Sequence, residues 1–140
     1  SGMSLVAAND ELIEKSIAVL PFDDYSSGGD TEWFCNGVAE DIRTNLSKMN
    51  GIAKVISHTS VEKFKNSEMT IPEIARELGV SFVVEGNLRK YKDEIIITAN
   101  LIDRNDRQLW AEKYNDDFDQ VFEIQNNVAN QIAQNLQLMQ

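Results

Sequence analysis

One cysteine, one histidine and two prolines stand in 140 residues, and each scarcity narrows what the chain can do. With Cys35 alone, no internal disulfide forms and no cluster of thiolates can hold zinc. With His58 alone, a histidine-rich metal centre is excluded, and a catalytic Cys35 would have a single candidate base. No apolar run approaches the roughly 20 residues that cross a bilayer, and no positively charged leader precedes a hydrophobic stretch. Direct membrane insertion by this chain is therefore not expected. Basic side chains are also few: 13 Lys and Arg face 23 Asp and Glu, a net charge of -10 with no basic block. Nucleic acids and anionic membranes are bound largely through Lys and Arg, so neither is expected as a partner. The plain reading of the acidity is that it keeps a domain soluble and monomeric.

What is present describes one α/β domain. At 42% apolar and 26% charged residues the composition is that of an ordinary globular protein, and the length suffices for a core of its own. Ser1-Gly2-Met3 reads as an expression remnant ahead of a starting methionine, and residues 1–14 as a linker or lead-in. Residues 15–22 are an apolar run closed by Pro21, a strand buried on both faces. Residues 23–30 are dense in turn formers and read as a mobile loop. Phe34, Val38, Ile42 and Leu46 form a helical stripe, with Asp30 or Thr31 as its cap and Asn50-Gly51 as its stop.

Residues 52–56 read as a second buried strand, followed by a short helical segment capped by Thr59 or Ser60. Thr70-Ile71-Pro72-Glu73 combines a cap, an early proline and the glutamate of a capping box, and Gly79 ends that helix. From Ser81 the period becomes two. Residues 82–91, 94–103 and 109–114 then predict an antiparallel meander with a tight turn at Lys92-Asp93. A last helix over about 119–138 carries apolar residues at 121, 124, 128, 132 and 136. The order β-α-β-α-β-β-β-α predicts a two-layer α/β sandwich over residues 15–140. Its mixed sheet has about five strands, with the helices mainly on one face.

The residues are more specific than the pattern. Ser16-Ile17-Ala18-Val19-Leu20-Pro21-Phe22 is followed by Glu32-Trp33-Phe34-Cys35-Asn36-Gly37-Val38-Ala39-Glu40-Asp41-Ile42. Later come Phe82-Val83-Val84-Glu85-Gly86-Asn87-Leu88-Arg89, Ile97-Thr98-Ala99-Asn100-Leu101-Ile102-Asp103 and Leu109-Trp110-Ala111-Glu112-Lys113-Tyr114. In order and spacing, from Lys15 to about Leu136, this resembles the TolB N-terminal-like domain. That module of bacterial envelope and signalling proteins stands beside tetratricopeptide repeats, adenylate cyclases, winged-helix regulators or protein kinases. The resemblance implies recognition or scaffolding, no catalytic residue and no cofactor, with any catalysis in another domain such as an adenylate cyclase. It favours the periplasmic face of a membrane-anchored parent over the cytoplasm. Where relatives often place glycine after Asp103, here Asn105 or Asp106 must supply any left-handed residue.

The local motifs carry no chemistry of their own. Gly28-Gly29 lacks the spacing of a phosphate loop, and Asp116, Asp117 and Asp119 lack the alternation, glycine and closing glutamate of a calcium loop. Glu40 and Asp41 are neighbours on a helix, so their side chains diverge by roughly 100°. Trp33, Phe34 and Trp110 are assigned to the core or its edge, Cys35 to a buried and unreactive position, and His58 to a loop. No catalytic, cofactor or metal site is expected.

Two places carry the functional expectation. Ile95, Ile97, Ala99 and Leu101 alternate as a core-facing set, leaving Ile96, Thr98, Asn100 and Ile102 with Val83 on the other face. Under a single helical layer these make an open, half-apolar surface suited to a partner. The second place is the loop bearing Asp23, Asp24, Tyr25 and Asp30. The expected function is a non-catalytic protein-interaction or sensory module. Its partner would be another domain of its parent or a separate protein, with a homodimer as a further option. The alternatives are a small-ligand sensor, with a pocket near Pro21 to Asp24, and an enzyme with an unfamiliar thiol or carboxylate site.

Overall fold

The computed structural model describes residues 15–26 and 31–138, so the lead-in expected over residues 1–14 lies outside it. One mixed sheet organises the chain. Strand β1 (Ser16–Val19) runs parallel to β3 (Lys54–Val55) on one side and to β4 (Phe82–Tyr91) on the other. All four β1 residues are buried, as a strand covered on both faces must be. Strands β4, β5 (Glu94–Asp103) and β6 (Gln108–Asp117) complete the sheet as an antiparallel meander, giving the spatial order β3-β1-β4-β5-β6. The expected second strand shrinks to two residues, and the last strand runs on to Asp117. Lys92 takes φ 56° in the tight turn, and Asp106, at φ 69°, supplies the left-handed residue after Asp103. The Asp103 carboxylate holds that second turn, accepting from the Asn105 and Arg107 amides and from Arg107 Nε, each at 2.9 Å.

Two long helices cover one face: α1 (Glu32–Ser47) and α4 (Val121–Leu138), the latter preceded by a 3-10 turn at Phe118–Gln120. Positions 121, 124, 128, 132 and 136 are all buried there, against Ile17, Val19, Leu88, Ile95, Ile97 and Leu101. Two short helices, α2 (His58–Glu62) and α3 (Ile71–Leu78), lie on the opposite face over Ala18, Leu20 and Val83. Chain direction explains the split. From β1 the path steps to β3 on one side, then crosses back over β1 to β4 on the other. Right-handed crossovers in opposite directions place their helices on opposite faces. The capping box of α3 forms as read, with the Glu73 amide donating to Thr70 Oγ1 at 3.3 Å, and Gly79 ends the helix at φ 68°. Helix α2 begins after Ser57, whose side chain makes no capping bond, so His58 opens a helix where a loop was expected.

The segment read as a mobile loop begins instead with a strand. Asp23–Asp24 forms β2, parallel to β4. Val19 stands beside Val84 and Asp23 beside Asn87, so β1 and β2 follow one line along β4, interrupted by a single extra residue around Pro21. The proline, lacking an N–H, suits such a bulge. The bulge reverses the alternation and turns Phe22 inward, where its ring lies on Gly86. A Cβ on Gly86 would sit 2.6 Å from two Phe22 ring carbons and overlap the Thr98 carbonyl oxygen. Replacing Gly86 by alanine is expected to destabilise the domain by about 2–3 kcal/mol, because a paired backbone cannot yield as a side-chain tip can. Urea titration of the Gly86→Ala variant measures this, and an unchanged midpoint would refute the close packing.

Candidate functional site

The bulge also sets what faces outward. Beyond it, Asp23 and Tyr25 point to the face of the sheet that carries α2 and α3, in line with Glu85, Arg89 and Ile96. The Tyr25 amide donates to the Leu88 carbonyl at 2.8 Å, and Lys90 N to Ser26 Oγ at 2.8 Å, so the segment is tied to β4 up to residue 26. Asp30 lies outside the described residues. Two grooves meet at Tyr25. One, of about 350 Å³, is lined by Tyr25, Arg89, Lys90, Tyr91, Glu94 and Ile96, and Lys92 Nζ stands 5.4 Å over the Tyr91 ring. The other, of about 450 Å³, runs between the sheet and the α2–α3 region and is lined by Pro21, Asp23, Tyr25, Met69 and Glu85 among others.

The structure divides the residues singled out from the sequence. Tyr25 from the loop and Ile96 from the sheet face come together in the smaller groove. Val83 and Ile102 do not belong to an open face: they are 0% and 6% exposed. The expectation of a single helical layer fails at Val83 because α2 and α3 cover that half of the sheet. Ile96, Thr98 and Asn100 remain half-buried, where that cover ends. Asp24 has a structural role. It accepts from Thr31 Oγ1 at 2.6 Å and from the Ser26 amide at 2.9 Å, joining β2 to the start of α1. The Thr31 hydroxyl, expected to cap α1, is engaged in that bond. Burial alone would raise the Asp24 carboxyl, but these hydrogen bonds and nearby Lys65 outweigh it and hold its pKa below the usual value.

Cys35 and His58 serve different surroundings. The thiol is buried and donates to the Phe22 carbonyl at 3.1 Å. Its pKa is pushed up to about 12, first by burial and then by the Asp24 and Asp23 carboxylates, so it is a protonated thiol at neutral pH. His58 instead faces Glu40 and Glu62, each at 3.7 Å. Among the described residues no group of three His, Cys, Asp or Glu is placed to hold a metal ion.

The aromatics depart furthest from expectation. Phe34 is buried and Trp110 packs against the core, but Trp33 is 73% exposed, one position off the buried stripe of α1. Its ring meets Phe34 edge-on at 6.0 Å, and Phe34 lies 4.8 Å from Phe118. The Phe118 amide donates to the Asp93 carbonyl at 2.7 Å, and Lys90 Nζ stands 4.6 Å over the Phe118 ring. Trp33, Phe122, Tyr25 and Tyr91 are all 60–73% exposed at one end of the sheet, with Tyr25 and Tyr91 in one groove on the α2–α3 face and Trp33 and Phe122 at the starts of the two long helices on the other face. This end lies beyond the carboxyl ends of β2 and β4, the usual place for binding in open α/β sheets. Lys15 Nζ donates to the Leu136 carbonyl at the opposite end.

The fold is that of the TolB N-terminal-like domain. No protein-family model matches the chain. It superposes on TolB from Acinetobacter baumannii with a TM-score of 0.64 at 19% identity, over 88% of this chain and 28% of that one. On the lipoprotein GNA1162 from Neisseria meningitidis the TM-score is 0.61 at 22% identity, over 85% of this chain and 96% of that one. In sequence it is 39% identical over 124 residues to a Rhizobium meliloti protein named putative adenylate cyclase 3. That match takes in 88% of this chain, which spans only 21% of the length of that relative.

Two expectations test the site. Lysine at half-buried Ile96 should cost less than about 1 kcal/mol, whereas lysine at buried Ile102 should cost several. Parallel thermal melts of Ile96→Lys and Ile102→Lys decide it, and equal losses would contradict the division of the face. Glu85, in the larger groove, has its pKa raised by burial first and then by the carboxylates of Asp23 and Asp106. A raised carboxyl destabilises the fold once it ionises, above its unfolded value of about 4.3. The Glu85→Gln variant should therefore melt higher than the unaltered chain at pH 7, with the gap closing as the pH falls to about 4. A gap independent of pH would rule out this electrostatic origin.

Proposed function

We propose that this chain is a non-catalytic protein-interaction module of a larger bacterial protein, placed at the periplasmic face of a membrane-anchored parent. The observation that carries the reading is the exposure of Tyr25 and Tyr91 beside half-buried Ile96 in one groove, at the end of the sheet away from the Lys15–Leu136 contact. Large apolar patches on a soluble domain mark partner surfaces, and tyrosine and tryptophan are enriched where binding energy concentrates. Likeness in fold to TolB and to a lipoprotein supports the envelope setting. The relative named as a putative adenylate cyclase supports a parent with further domains, and any cyclase chemistry belongs to the part outside the matched stretch.

The larger groove favours a second reading, a small-ligand sensor, since it pairs apolar walls with a carboxyl held above its ordinary pKa. The buried, protonated Cys35 gives no support to the thiol-enzyme alternative. Lysine-directed cross-linking of the full-length parent in its membrane, read by mass spectrometry, tests the main reading. Links from this domain to another protein or to another domain of the parent are expected. Links confined to the domain itself would refute it.

A further inference from the structure

We infer that the pocket between the end of α3 and the β5–β6 turn is a site for a small oxyanion, the phosphate or carboxylate group of a small ligand. It lies at the end of the sheet opposite Tyr25, apart from both grooves described above, and does not depend on the interaction-module reading. Its volume is about 390 Å³. The path of the chain builds it. Gly79 turns the backbone out of α3, the Ser81 amide donates to Ser16 Oγ at 3.0 Å, and the Arg104 amide donates to the Ser81 carbonyl at 3.0 Å. The β5–β6 turn is thereby fastened beside the last turn of α3. Arg76 and Arg104 then line one cavity, together with buried Ala75 and Val80.

The charge of the lining has one sign. In a chain of net charge -10, this pocket holds two guanidinium groups and no carboxylate. Carboxylates on the same segments are engaged elsewhere: Glu73 by Thr70, Glu77 by Lys63 at 2.8 Å, and Asp103 by Arg107 and the turn amides. Asp106, in the same turn, is the exception, and its charge acts on Glu85. Among the described residues Arg76 and Arg104 form no ion pair. Two guanidinium forks, with the Ser81 hydroxyl and the Asn105 amide as further donors, match the oxygens of a phosphate or carboxylate. A helix carboxyl end would repel an anion. Here the Ala75 carbonyl is already taken by the Val80 amide at 3.0 Å and the Arg76 carbonyl by the Gly79 amide at 3.3 Å. A cationic ligand would meet only like charge, and an apolar one would leave these donors unpaired.

The test is a nitrogen-15 NMR titration of the chain with inorganic phosphate and, separately, with succinate, at an ionic strength held constant by sodium chloride. Saturable shifts of the Val80, Ser81, Arg104 and Asn105 amides are expected with at least one probe. Saturation by phosphate alone supports a phosphate group as ligand, and by succinate alone a carboxylate. The Arg76→Gln/Arg104→Gln variant should bind at least tenfold more weakly. Lys48→Gln/Lys54→Gln removes the same charge outside the pocket and should bind within twofold of the unaltered chain. Arg76→Lys/Arg104→Lys keeps the charge but loses the forks, and should bind at least threefold more weakly even if the glutamine variant melts early. No saturable shift with either probe would overturn the proposal, as would undiminished binding by the arginine-to-lysine variant. Equal weakening by the Arg76/Arg104 and Lys48/Lys54 glutamine variants would overturn it in favour of diffuse attraction to basic side chains.

Discussion

The facing of Phe22, Asp23 and Tyr25 depends on the single extra residue around Pro21. Without it, the alternation of β1 would continue, sending Phe22 to the half-open face and Tyr25 into the core. With it, Phe22 is buried on Gly86 and Tyr25 emerges beside Ile96. Three features hold the reversal. Proline offers no N–H to the interrupted ladder, Gly86 leaves room for a ring where any other residue would intrude, and Cys35 donates to the Phe22 carbonyl. The lone thiol thus reads as part of the anchor of a strand.

Much of the fold was legible because local signals agree with one another. Ten-residue alternation placed β4 and β5 at their observed bounds, Thr70 through Glu73 gave a capping box that forms, and the five apolar positions of the last helix are all buried. What escaped sequence reasoning was non-local. Val83 and Ile102 carry no mark distinguishing a covered face from an open one. The cover over Val83 comes from two short helices whose side of the sheet follows from the direction of successive crossovers. A one-residue bulge likewise leaves no periodic trace in a run as short as residues 16–24. Trp33 was misplaced for a simpler reason: its neighbour Phe34 belongs to the buried stripe, and adjacent helical residues point about 100° apart.

The fold and the site differ in how they are stabilised. The core face is a continuous apolar layer between sheet and long helices, with Asp24 and Asp103 holding turns through ionised, hydrogen-bonded carboxylates. The end of the sheet at Tyr25 is less settled. Tyr25, Tyr91, Trp33 and Phe122 stand largely in water there, and half-buried Glu85 is held above its ordinary pKa. Natural domains tolerate such local cost where a surface is meant to be covered, since the partner relieves it on binding.

The contact between Lys15 and Leu136 has a mechanical consequence. Residues 15 and 136 meet at one end of the sheet, so a pull applied between them would load that contact and leave the opposite end untouched. The grooves at Tyr25 would keep their shape under such a load.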